Sequence, residues 1–221
     1  YDLAIKYYDD LIYSSSDINL VADAYLSKGM IDFNSGRVDS AIKEFLFVVN
    51  NYQITECFKE ALSGLRSSYA SIGNIEDYLE VVESLPEFSI TKAEQDSLTY
   101  NAAFMKFSEM DYETAKKAFN KYLERFENGI FINDVIYYNA VSALNTGDTI
   151  AAVMNYTRVV EGGLPDHQEP SLIFLSRRSY IANDYQSSNK YYTMLLDIAS
   201  SNSIKRESVI RLMIGNDRIN K

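Results

Sequence analysis

The chain has 221 residues, a formal net charge of −10, 47% apolar residues, three Pro, nine Gly, one Cys, 18 Tyr and no Trp. That apolar content fits a folded protein, and so few Pro and Gly exclude disorder and a turn-rich β-sandwich. An acidic chain lacks the clustered Lys and Arg that displace phosphate counterions, which sets nucleic acid and an anionic membrane surface aside. No apolar run approaches the ~18 residues that cross a bilayer.

In chain order, the stretch "YDLAIKYYDD" (1–10) reads as a helix already under way, with no capping residue ahead of it. Its small residue, Ala4, begins a series continued by Ala41, Tyr78, Ala115, Ala152 and Ser188, at spacings of 37, 37, 37, 37 and 36. Four residues after each stand Tyr8, Phe45, Val82, Phe119, Tyr156 and Tyr192, all bulky. Five residues before each, from the second on, stand Gly36, Gly73, Met110, Gly147 and Asn183. Gly and Asn are the residue types that end a helix in the left-handed conformation. The unit is therefore a first helix A, a tight turn, a second helix B and a linker. On helix B, the small residue marks a close backbone approach and the aromatic one turn later fills the space between helices.

Residues 1–21 then form a half unit, a B helix without its A helix. Complete units span 22–58, 59–95, 96–132, 133–168 and 169–204, and residues 205–221 form a closing half unit. Such hairpins bury their apolar faces only by stacking, so the expectation is an all-α, right-handed superhelix (an α-solenoid) of about twelve antiparallel helices. Two half units suggest a piece of a longer repeat protein. In the unit 59–95, Tyr78 and Arg66 replace the small residues of helices B and A, so that hairpin should open wider or shift register.

Catalytic chemistry finds little support. Cys57, in "TECFKEAL", falls in the first turn of a helix and reads as a partly buried small side chain, although a helix N-terminus can lower a thiol pKa. The single histidine, His167, lies in "EGGLPDHQEP" (161–170), flanked by Asp166 and Glu169; Gly162, Gly163, Pro165 and Pro170 make this a turn leading into a helix rather than a metal site. Carboxylate neighbours such as Asp9/Asp10 and Glu76/Asp77 diverge on a helix and form no acid–base pair. No phosphate loop, nucleophile elbow or zinc spacing occurs, and no cofactor is expected.

Gly29, Gly36, Val38, Ala41 and Phe45, and again Ala103, Met110, Tyr112, Ala115 and Phe119, resemble the tetratricopeptide repeat (TPR) family, over essentially the whole chain. The period is 37 rather than the family's 34, and Tyr25, Leu62, Thr99, Ile136 and Leu172 stand where the family's early Trp would be. The stretch 118–144, with Ala118, Phe119, Tyr122, Leu123, Phe126, Gly129, Tyr137, Tyr138 and Ala140, is similar to TPRs of bacterial cell-envelope proteins, although Glu127 replaces the usual Pro. The resemblance implies a non-enzymatic scaffold that binds a partner protein or peptide, in the periplasm or at the outer membrane, with the cytoplasm as the alternative.

In such a fold the A helices line the concave side. The positions facing it, spaced i, i+4, i+7, are Leu26, Met30 and Phe33; Ser63, Ser67 and Ala70; Tyr100, Phe104 and Phe107; Tyr137, Val141 and Leu144; Ile173, Arg177 and Tyr180. Two readings compete: the stripe is core, or it is an aromatic trough for a partner peptide or helix. The candidate contacts are Leu26, Met30, Phe33, Tyr100, Phe104, Phe107, Tyr137, Val141, Arg177 and Tyr180. With one cation in the stripe, no carboxylate clamp of the chaperone-binding kind is expected there. The alternative function is a structural spacer or a homo-oligomerising module that pairs through exposed end helices, at Leu3, Tyr7 and Leu11 or at Leu212. An enzyme, glycan-active if the envelope resemblance holds, is the remaining and least supported class.

Overall fold

The computed structural model describes residues 2–86 and 88–220. Among them are twelve α-helices and no strand. B helices are α1 (Asp2–Ser14), α3 (Val38–Asn51), α5 (Ile75–Glu83), α7 (Tyr112–Arg125), α9 (Thr149–Glu161) and α11 (Tyr185–Ile198). A helices are α2 (Ile18–Asn34), α4 (Cys57–Ser71), α6 (Lys92–Ser108), α8 (Ile132–Asn145), α10 (Pro165–Ile181) and α12 (Asn202–Ile219). The fold is all-α, a succession of helix hairpins. The chain divides into two compact units, 1–106 and 107–221, with the division inside the last turns of α6.

The turns between A and B helices carry the strongest local signal. Gly36, Gly73, Met110, Gly147 and Asn183 all adopt positive φ, at 76°, 69°, 61°, 81° and 61°. Met110 therefore holds a conformation that L side chains avoid, because the turn geometry demands it. Directly after three of these residues, Asp111, Asp148 and Asp184 cap α7, α9 and α11 by accepting from the backbone N–H of Thr114, Ala151 and Ser187. Each satisfies one of the donors that a helix start leaves open. α6 begins with a capping box, in which Thr91 Oγ1 accepts from the Glu94 N–H and the Glu94 carboxylate accepts from the Thr91 N–H.

In the first unit the core runs through α2 to α6 and centres on Phe45, 1% exposed. A Cβ added at Gly29 of α2 or at Gly64 of α4 would lie 2.6 Å from the Phe45 ring. The ring thus fills a slot that two glycines hold open. Lys28 joins three helices, donating to Asp9 of α1 at 2.7 Å and lying 3.1 Å from Glu44 of α3.

The hairpin α4–α5 departs from the pattern. α5 has nine residues, and Tyr78 is buried on it where the other B helices present Ala or Ser. Arg66 is exposed opposite, and a cleft of about 490 Å³ opens beside the pair. The two bulky residues of this hairpin thus both border one cleft, together with the start of α6.

In the second unit Ala152, Tyr156, Leu172, Leu175, Tyr192 and Leu195 form a continuous core. The close approach of α10 and α11 is direct: the Ser188 hydroxyl donates to the Ser176 carbonyl at 3.3 Å. The basic residues Lys205, Arg206 and Arg218 of α12 are exposed, as a solvated face requires.

Candidate partner-binding site

Small residues on one face of a helix leave room beside it, and α4 carries four: Ser63, then Ser67 four residues on, then Ala70 and Ser71 three and four residues after Ser67. In the first unit they floor two adjoining hollows. One, of about 400 Å³, lies between α2 and α4 and is walled by Met30, Phe33 and the Phe45 ring. The other, of about 430 Å³, lies between α4 and α6 and is walled by Phe33, Leu98, Ala102 and Met105, with Asn101 and Arg66 on its border. Phe33 and Ser67 belong to both hollows, so the two form one trough along α4. Its hydroxyls are turned inward: Ser67 Oγ donates to the Ser63 carbonyl and Ser71 Oγ to the Ser68 carbonyl. The helical walls have spent their backbone donors and acceptors on themselves, so the trough presents mainly apolar surface.

The stripe positions meet different fates. Met30 is 43% exposed and Phe33 half-buried, both at the trough. Leu26 is 4% exposed and packs in the core, and it lines neither hollow. Tyr100 and Phe104 stack on one another, centroids 5.6 Å apart, and line neither hollow. The α6 residues that face α4 are instead Leu98, Asn101, Ala102 and Met105, an i, i+3, i+4, i+7 set turned about the helix from the expected one.

In the second unit most of the stripe is engaged internally, while Leu144 is 39% exposed. Phe107 packs on Tyr112, Phe119 and Tyr138. Val141 packs, partly buried, against the core. Arg177 is not an open cation: its guanidinium makes a two-toothed contact with the Glu207 carboxylate, at 2.8 and 2.6 Å. That pairing holds the Glu207 carboxyl below its usual range, with burial acting in the opposite sense. Tyr180 lies under the Arg211 guanidinium at 4.2 Å and edge-on to Tyr185.

His167 is a correction. It does not sit in a linker, because α10 starts at Pro165, whose fixed φ suits the first helical position. Its ring stacks on Tyr137 at 4.2 Å, with planes 1° apart, and its Nε2 lies 2.7 Å from Asp134 Oδ1. His167 and Tyr137 therefore pin α10 to α8. Burial pushes the Tyr137 phenol up, and its neighbour Tyr138 adds to the shift.

No family model and no curated protein matches the chain. Among solved structures it is similar to the C-terminal part of a TPR repeat-containing protein from Cytophaga hutchinsonii, at 15% identity and a TM-score of 0.46, over 86% of this chain and 73% of that one. The helical-repeat architecture described above rests on this chain's own helices and turns.

Among the described residues no group of three or more His, Cys, Asp or Glu side chains could hold a metal ion. The Cys57 thiol is pushed up, by burial first and by Asp23 and Glu60 next, so the start of α4 does not activate it. Among the same residues no helix is long and apolar enough to cross a membrane.

Proposed function

We propose that this is a TPR-like, non-enzymatic scaffold whose first unit takes an amphipathic helix of a partner protein into the trough along α4. The observation that carries the reading is the small-residue floor of Ser63, Ser67 and Ala70 between the apolar walls Met30, Phe33, Leu98 and Met105. A helix satisfies its own backbone, whereas an extended segment would bury amide groups against walls that offer none in return. Each large apolar anchor contributes about 1.5–3 kcal/mol when buried. Ordering costs bring the total to roughly micromolar affinity. Display selection of amphipathic helical peptides on the whole chain, followed by Ser67→Trp, tests the reading. Ser67 is exposed, so the indole fills the trough without entering the core. Selected peptides should lose capture by this variant while its circular dichroism is unchanged; undiminished capture, or no selectable binder, rejects the trough.

Self-association is a second reading, supported by one feature. α12 shows Val209, Ile210, Met213 and Ile214 along one side, from 37% to 69% exposed. Of the apolar residues expected to be open, Leu3 and Tyr7 are each 66% exposed, whereas Leu11 is half-buried and Leu212 packs against the core. A mass that rises with concentration in light scattering, abolished by Met213→Glu, supports a second copy on this face. An envelope location rests on the resemblance of 118–144, and cell fractionation that leaves the protein in the cytosol removes it.

A further inference from the structure

The cleft opened by the departure of α4 and α5 from the repeat pattern holds chemistry of its own. It is lined by Arg66 of α4, Tyr78 of α5, Ser89 and Ile90 ahead of α6, and Ala93, Glu94, Ser97 and Leu98 of α6, and it measures about 490 Å³. That volume is in the range of small-ligand sites. Arg66 makes no ion pair among the described residues, in a chain of net charge −10. Tyr78 is 6% exposed, and its hydroxyl makes no hydrogen bond among those residues. The ring is buried, but the hydroxyl is open to the cleft, where water or a ligand can accept from it. Burial pushes this phenol up while the nearby Arg66 charge pulls it down; on balance it stays a neutral donor at pH 7. Ile90, Ala93 and Leu98 supply an apolar wall. The Ser97 hydroxyl is spent on the Ala93 carbonyl. Glu94 also faces the cleft, but one of its oxygens accepts both the Thr91 N–H and the Thr91 hydroxyl, at 2.8 and 2.7 Å.

We infer that this cleft is a binding site for a small apolar carboxylate, with the carboxylate between Arg66 and the Tyr78 hydroxyl and the hydrocarbon against Ile90 and Leu98. A guanidinium and a phenol are both pure donors toward such a group, and together they satisfy two otherwise idle polar groups. The cleft borders the trough through Arg66 and Leu98, but its ligand is a small acid and requires no partner protein. It also follows from the departures themselves. At the place of Tyr78 the other units carry Ala41, Ala152 and Ser188, small side chains that are fully buried and offer no donor to a ligand of this kind.

Isothermal titration of the whole chain with 3-phenylpropanoate and with 3-phenylpropanamide tests it. The acid should bind at least tenfold more tightly than the amide. Arg66→Gln should weaken the acid tenfold or more and leave the amide unchanged, and Tyr78→Phe, which keeps the ring and the fold, should weaken the acid about threefold. Glu94→Gln should tighten the acid, since it removes the one opposing charge. A tetrapeptide ending in Phe with a free carboxylate, compared with its C-terminal amide, distinguishes a peptide end from a free acid as the source of the group. Equal affinity of acid and amide, indifference to Arg66→Gln, or no binding of either probe overturns the assignment.

Discussion

Gly29→Ala is the sharpest test of how the first unit is packed. In an open helix interior this change gains about 1 kcal/mol from backbone propensity. Here the added Cβ would sit 2.6 Å from Phe45 Cε1 and 2.8 Å from Cδ1. Carbon atoms in good contact lie about 3.5–4.0 Å apart, so the overlap is roughly 1 Å. The ring has no retreat, because on its far side a Cβ at Gly64 would stand 2.6 Å from Phe45 Cζ, so the slot is equally tight there. Either α2 and α4 spread or Phe45 leaves its rotamer. Overpacking of this kind costs about 1–3 kcal/mol. After the propensity gain of about 1 kcal/mol, a net loss of about 0–2 kcal/mol is expected. The assay is amide hydrogen exchange in α2, α3 and α4, because two compact units need not unfold together. The same substitution in a Phe45→Leu background should become neutral or stabilising, which makes the coupling between the two positions opposite in sign to either single effect. Increased protection by Gly29→Ala with Phe45 in place would refute the account of the slot.

Ala115→Glu should unfold the second unit at room temperature, because Ala115 is fully buried and a carboxylate there has no partner; an unchanged thermal melt would show that α7 sits in a different register. Tyr156 and Tyr192 have phenols pushed up to about 12, by burial first and, for Tyr192, by the Glu207 charge next. A proton held more tightly in the folded state means that their stabilisation is intact below about pH 10 and drains away as the pH rises from there towards 12, by about 2–3 kcal/mol for each fully linked group. Urea midpoints at pH 9 and 11.5 measure the slope, which Tyr156→Phe together with Tyr192→Phe should flatten. Met110→Gly should stabilise by about 0.5–1 kcal/mol through relief of the left-handed φ, and Met110→Val should do the reverse, both read as shifts in the urea midpoint.

The hairpin stride was legible because it is written in residues with few substitutes. Ala41, Ala152 and Ser188 are fully buried where backbones meet, and five positive-φ turns fall at the positions marked by Gly, Met and Asn. The Asp caps at 111, 148 and 184 add a repeated signal that spacing alone could have revealed. The faces of the helices were less legible. Whether α6 shows Tyr100 and Phe104 or Leu98 and Met105 to α4 depends on rotation about the helix axis, which the spacing of one helix does not encode. Pairings across the stack were invisible for the same reason: Arg177 meets Glu207 and His167 meets Asp134, each about one repeat away along the chain. A window of one hairpin contains only one partner of each pair.

Stacked hairpins under tension do not fail together; they detach in turn, each at its own threshold. Within the first unit that threshold is lowest at α5, where nine residues and a wedged phenol replace the longer, close-fitting helices found elsewhere. Under load the first unit should therefore lengthen there before it lengthens at its other internal helices. The segment expected to yield is the one that has exchanged tight seating for an open cleft.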